Sequence, residues 1–167
     1  MLYICIESNQ IKVLNLKRTL LGQQEVSFFE KRHEIDLLST GKVTNVDVLA
    51  SALKEAVSHT NALTEKEVFL ILPQESFYFM KADIPADIAI SAVSSFINDK
   101  ARSSLAVDVD NCYANFFVKE NDKQKQVSYF AIEMDVVEKF AETLNLLGLK
   151  LVSLLHDTLA VFKLFEK

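Results

Sequence analysis

A mixed α/β fold is what this sequence predicts: sheet strands with flanking helices, and a strand-helix-strand-strand block in the middle of the chain. Three observations carry the prediction. Three strand-like segments follow one another at the amino end, joined by short polar turns. A short, wholly apolar run, Val68-Phe69-Leu70-Ile71-Leu72, stops at Pro73 and fits a central strand covered on both faces. Elsewhere apolar residues recur every three or four positions, which is the helical period.

Taken in order, Leu2 to Ile6 is an apolar run that reads as a buried strand. After Glu7-Ser8-Asn9-Gln10, the alternation of Ile11 to Leu16 puts Ile11, Val13 and Asn15 on one face. Gly22-Gln23-Gln24 marks a turn, and Val26 to Glu30 resumes extended structure. The three strands are expected to form an antiparallel meander. Asn45 has the short polar side chain of a helix N-cap, and Val46, Leu49, Ala50, Leu53 and Val57 follow at helical spacing, predicting a helix from Val46 to His59. The strand Val68–Leu72 comes next.

Ser76 to Ala82 is a strand candidate, expected to end before Asp83-Ile84-Pro85. Ile88 to Ser103 is predicted as a helix with Ile90, Val93 and Ile97 on one face and Ala89, Ala92 and Phe96 beside them. Cys112 to Lys119 and Gln126 to Met134 form a hairpin around the polar turn Glu120 to Lys123. Asp135 is expected to cap a helix, with Glu138 completing a capping box; Val137, Phe140, Ala141, Leu144 and Leu147 form its buried face, and Gly148 ends it. Leu149 to Leu155 reads as a strand. Thr158 to Phe165 reads as a last helix, strongly apolar, expected to dock on the sheet or else on a second half or another protein.

Composition bounds the function. The 167 residues are half hydrophobic and include twelve Phe, enough for a core without disulfide or metal staples. No apolar stretch reaches the roughly 18 residues of a membrane span, so direct membrane insertion is not expected. The amino end lacks a basic segment before its apolar run, and Glu7 interrupts that run, so no signal peptide is read and the cytoplasm is the expected compartment. Net charge is −5 and the largest basic cluster is Lys31-Arg32-His33, which disfavours nucleic acid as a partner. Cys5 and Cys112, far apart in apolar contexts, read as buried reduced thiols.

Few residues suggest chemistry. His33, His59 and His156 fall on different elements with no ligand-spaced partners, so zinc is unsupported. No Gly-x-Ser-x-Gly is present for a serine nucleophile, and His156-Asp157 reads as a strand end and helix cap. Asp108 and Asp110 are read as a solvated edge in preference to a metal pair. The aromatic runs Phe77-Tyr78-Phe79 and Phe116-Phe117 cannot each face a single core from a strand. Some of those rings must meet a second layer, a junction or a partner.

A family resemblance joins these observations. Ile4 to Val13 resembles the first hairpin of actin-like ATPases, a fold shared with ribonuclease H-like nucleases. Glu67-Val68-Phe69-Leu70-Ile71-Leu72-Pro73, then Phe77-Tyr78-Phe79 and Asp83-Ile84-Pro85, is similar to the matching stretch of PilM-like type IV pilus assembly proteins. Leu144 to Leu151, with Gly148, resembles the passage that returns to the main domain. The resemblance covers the N-terminal half of such a protein, with the FtsA division proteins as close relatives. It implies an actin-like subdomain over residues 1–75 and 128–167 and an inserted module over 76–127.

The departures from the family pattern shape the expected function. An acidic residue and a glycine normally stand where Cys5 and Glu7 are. Glycine lets backbone N–H groups approach a phosphate, and a carboxylate helps organise magnesium, which prefers hard oxygen donors. Cys5, Glu7, Ser8, Asn9 and Lys12 therefore read as a degenerate nucleotide loop, with only Ser8, Asn9 and Lys12 able to hydrogen-bond a phosphate. No catalytic residue, metal or cofactor is expected, and ATP with magnesium enters only if the chain is half of an active ATPase. The resemblance implies instead a cytoplasmic scaffold, peripheral to the inner membrane, that binds the short cytoplasmic tail of a PilN-like membrane protein in a groove beside the inserted module. Phe77, Phe79, Ile97 and Phe117 are expected to line that groove. An FtsA-like division adaptor or a type II secretion component, able to self-associate, is the alternative.

Overall fold

The structure, a computed structural model, describes residues 1–19, 22–62, 64–85, 87–120 and 124–158. In chain order its elements are β1 (Leu2–Ile6), β2 (Gln10–Arg18), β3 (Gln24–Arg32), β4 (Leu38–Ser39), β5 (Lys42–Val43), α1 (Val46–His59) and β6 (Glu67–Leu72). Then follow β7 (Tyr78–Pro85), α2 (Ile90–Ser104), β8 (Cys112–Glu120), β9 (Gln124–Glu133), α3 (Met134–Asn145) and β10 (Lys150–His156). They divide into two units, Met1–Ser76 with Glu138–Lys167, and Phe77–Val137. The second unit keeps the whole of β9, which a boundary at residue 127 would cut.

The first unit is built on a five-stranded sheet of order β10-β6-β1-β2-β3. β1, β6 and β10 are parallel, while β2 and β3 continue from β1 as the expected antiparallel meander. Register puts Leu2 between Asn15 and Val68, and Ile4 between Val13 and Leu70. Leu2, Ile4, Ile6, Ile11, Val13, Val68, Leu70 and Leu72 are all completely buried. Burial of such side chains stabilises by roughly 1.5–3 kcal/mol each. The opposite face carries Tyr3, Cys5, Leu14, Phe69 and Ile71, all half-buried, so this sheet is less deeply covered on that side than its apolar sequence suggests.

Asn45 caps α1 as expected, its side chain accepting from the N–H groups of Asp47 at 3.0 Å and Val48 at 3.2 Å. The helix buries Leu49, Ala50, Ala52, Leu53, Ala56 and Val57. Its end is tied to the sheet through the Thr60 carbonyl, which accepts from Asn15 Nδ2 at 3.1 Å and Ser27 Oγ at 2.8 Å.

The second unit is a three-stranded antiparallel sheet of order β7-β9-β8. Met80, Ala82 and Ile84 of β7, Val127, Tyr129 and Ala131 of β9, and Val93, Ile97 and Ala101 of α2 form its core. β7 runs through Asp83 and Ile84 to Pro85 instead of ending before them. Proline is tolerated because β7 is an edge strand and Pro85 is its last residue. Ser76 lies outside β7, in the single turn Gln74–Ser76.

α3 starts at Met134 with no connection after β9, so Asp135 sits inside the first turn and does not cap it. The buried positions are Val136, Phe140, Thr143 and Leu144, while Val137, Ala141 and Leu147 are half-buried. The helix starts two residues before the expected Val136, and its buried face keeps Phe140 and Leu144 while taking Val136 and Thr143 in place of Val137 and Ala141. Gly148 adopts φ +70, and the Leu149 N–H returns to the Leu144 carbonyl at 3.0 Å, closing the helix as expected. The helix expected from Thr158 to Phe165 lies almost wholly outside the described residues.

Candidate functional site

Two places are candidates for a functional site: the amino-terminal hairpin and the exposed face of the second unit's sheet. At the hairpin, Glu7-Ser8-Asn9 connects β1 to β2, and the Glu7 N–H closes the turn on the Gln10 carbonyl at 2.8 Å. The loop's carbonyls are used internally. Ser8 accepts from the N–H groups of Leu37 and Leu38, at 2.7 and 3.1 Å, and Asn9 accepts from the His33 N–H at 2.7 Å.

Two of the three side chains that could receive a phosphate, Lys12 and Ser8, are directed at carboxylates. Lys12 Nζ lies 2.6 Å from Glu7 Oε1, and Ser8 Oγ donates to Glu75 Oε1 at 3.4 Å. The hydrogen bond from Lys12 to Glu7 holds the Lys12 ammonium above its usual pKa. Burial, with the Glu7 charge second, pushes the Cys5 thiol up to about 11, so it is a neutral thiol at physiological pH. A neutral thiol is neither a nucleophile nor a hard metal ligand.

Glu75 reaches this loop because its turn is anchored nearby. Gly41, at φ +74 between β4 and β5, lies so close to Ser76 that a Cβ would overlap both the Ser76 backbone and its Oγ. Ser76 Oγ donates to the Gly41 carbonyl at 2.9 Å. Two carboxylates, Glu7 of the hairpin and Glu75 of the neighbouring turn, therefore stand at this loop. Like charge disfavours a phosphate beside them.

Asp108 and Asp110, paired in the sequence, serve different neighbours. Asp108 accepts from the Asp110 N–H and from Asn111 Nδ2, while Asp110 pairs with Arg102 at 2.7 Å. No cluster of three or more His, Cys, Asp and Glu side chains among the described residues could hold a metal ion.

On the second unit's sheet, alternation separates the consecutive aromatics. Tyr78 and Phe116 pack against the core, and Phe79 and Phe117 stand on the opposite face, 41% and 43% exposed. Phe130 lies between them on the central strand, opposite Phe79 and Asn115 in register. Its ring is 4.9 Å from that of Phe79 and meets Phe117 edge-on at 6.0 Å. Tyr113, 53% exposed, extends the row along β8, and Lys81 Nζ stands 6.0 Å from the Phe79 ring.

Of the residues expected to line a groove, Phe79 and Phe117 share this aromatic face. Ile97 does not: it points from α2 into the core with no exposed surface and cannot touch a ligand. Its apolar type reflected core packing on the helical period. Phe77 is half-buried in the bend before β7. Phe130, Tyr113 and Lys81 were missed, although counting in twos from Phe117 and Phe79 reaches Tyr113 and Lys81. Phe130 could be found only from the pairing of β7 with β9.

No protein-family model matches the chain, and no characterised protein matches it in sequence. Solved structures do match in fold. A chain of a PilM–PilN type IV pilus biogenesis complex superposes with a TM-score of 0.81 at 17% identity, covering 99% of this chain and 49% of that one. The cytoplasmic domain of EpsL, an inner-membrane component of the type II secretion system of Vibrio cholerae, superposes with a TM-score of 0.62 at 12% identity, covering 95% and 58%. The actin-like α/β fold expected from the sequence is the fold observed. The chain spans about half the length of each of these structures.

Proposed function

We propose that this chain is a non-catalytic PilM-like scaffold of type IV pilus assembly, held at the cytoplasmic side of the inner membrane through a short peptide tail of a PilN-like protein. The observation that carries this reading is the likeness over nearly the whole chain to a structure solved as a PilM–PilN complex. Two features of the molecule support it. The hairpin that serves nucleotide in active relatives is filled by the Glu7–Lys12 and Ser8–Glu75 contacts. The second unit offers apolar surface at Phe79, Phe117 and Phe130 between the polar positions Lys81 and Asn115, which suits an extended peptide carrying one or two large apolar side chains.

Titration of the chain with a fluorescent peptide copying the N-terminal cytoplasmic tail of the neighbouring membrane protein tests the proposal. Saturable binding in the micromolar range is expected, weakened about tenfold by Phe117→Ala, in line with the roughly 1–2 kcal/mol of a buried aromatic anchor. Absence of binding at high micromolar peptide would sink the reading. Thermal melts with and without MgATP provide the second arm: stabilisation by nucleotide that depends on Ser8 or Lys12 would favour half of an actin-like ATPase.

A second reading, a type II secretion component, is favoured by the likeness to the EpsL cytoplasmic domain. Peptides from the two kinds of system, titrated side by side, separate the readings.

A further inference from the structure

β3 is the outermost strand of the five-stranded sheet, paired on one side with β2 from Gln24 to Arg32 without a break in register. No strand covers its other side among the described residues. Long, regular edge strands expose a row of unpaired N–H and C=O groups, and proteins usually guard them with proline, a bulge or a charge near the middle. β3 has no such guard at its centre. Val26 and Phe28 there are 62% and 59% exposed, among the most exposed large apolar side chains of the molecule.

The charges on β3 are arranged asymmetrically, with Glu25 near its start and Lys31 and Arg32 at its end. Such a strand is self-complementary when antiparallel and self-repelling when parallel. We propose that β3 pairs antiparallel with β3 of a second copy of this chain, about a two-fold axis at Phe28, joining the two sheets into one. In that register Phe28 faces the partner's Phe28, Glu25 faces the partner's Lys31 twice over, and Gln24 faces the partner's Arg32. Glu30 falls opposite the partner's Val26, so no like charges are directly opposed. Opposed residues share a face, as a continuous sheet requires.

Other pairings are worse. Parallel in-register pairing sets Glu25 on Glu25 and Lys31 on Lys31. Sliding the antiparallel register by two residues loses both ion pairs. Lys31 is already held at 2.7 Å by Glu55, which fixes its ammonium beside the strand where a second carboxylate can share it. Cross-strand aromatic and opposite-charge pairs each favour pairing, and like charges directly opposite disfavour it. This inference does not rest on the scaffold reading.

Sedimentation velocity over a range of concentrations tests it with the full chain. The unaltered chain is expected to dimerise reversibly. Glu25→Lys sets lysine against lysine, and Lys31→Glu sets glutamate against glutamate, so each variant alone is expected to raise the dimer dissociation constant about tenfold or more. In an equimolar mixture of the two variants, both contacts between positions 25 and 31 again join a lysine to a glutamate, and heterodimer is expected to recover. That recovery also shows that both variants fold.

A chain that stays monomeric to about 1 mM, where association is worth under about 4 kcal/mol, would overturn the pairing. So would a dimer indifferent to Glu25→Lys, or a mixture no more associated than its parts. An edge captured by an extended peptide leaves the free chain monomeric and counts against the proposal in the same way.

Discussion

Tyr129 lies fully buried in the core of the second unit, yet its hydroxyl has no hydrogen-bond partner among the described residues. Leaving a buried hydroxyl unsatisfied costs about 1–3 kcal/mol. Tyr129→Phe keeps the ring and removes that group, so the unfolding free energy in urea is expected to rise by about 1 kcal/mol; a fall would mean the hydroxyl is bonded in solution. His156 supplies a second residue-scale prediction. It is 5% exposed at the end of β10, and burial holds its pKa below the usual value, with Asp157 opposing the shift. Its Nδ1 accepts the Thr158 N–H at 3.0 Å, which requires the neutral ring. The unfolded chain takes up a proton near about pH 6.5 while the folded chain resists it. The stability contributed by the neutral ring is therefore present above that pH and is lost progressively as pH falls below it. Urea midpoints compared between about pH 7.5 and about pH 5.5, either side of the unfolded histidine's pKa, should show this loss, and His156→Gln should reduce it. At this scale the sequence shows Cys5 and Glu7 where a carboxylate and a glycine would serve a phosphate loop, but not that Lys12, able by its chemistry to hydrogen-bond a phosphate, is paired with Glu7. Ile97 was misassigned because an apolar residue on a helix is compatible with core and with surface, and only packing chooses.

Element boundaries follow local chemistry where a cap or breaker is present. Asn45 predicts the start of α1 at Val46, and the structure starts it there with two hydrogen bonds to the cap. Asn45→Ala should lower the unfolding free energy by about 1 kcal/mol, measured by urea denaturation, with Asn45→Asp restoring most of it. Where no connection separates elements, the sequence signal misleads. Asp135 and Glu138 have the spacing of a capping box, but β9 runs straight into α3, and Val136 and Thr143 join Phe140 and Leu144 in the buried face in place of Val137 and Ala141. β7 continues through Pro85 because an edge position asks no ladder hydrogen bond of the proline nitrogen. Proline is a reliable stop only for a central strand, as Pro73 is after β6. β3 shows the opposite limit. Its extended character is readable, but its position at the sheet's edge is a property of strand order.

At the scale of the whole molecule, the first unit carries a sheet whose three parallel strands β1, β6 and β10 come from distant parts of the sequence. The second unit has a core of its own. No helix among the described residues is long and apolar enough to cross a membrane. The chain spans about half the length of the structures it resembles. The sequence by itself determined the element types and the actin-like pattern. These are set by alternation, helical period, and the size and charge of individual side chains, all of which act over a few neighbouring residues. Only the tertiary structure decided that Phe79, Phe117 and Phe130 share one open face, that Glu75 reaches Ser8, and that β3 ends the sheet. Each depends on strands brought together from far apart in the chain, and a local pattern carries no record of which strand will lie beside which.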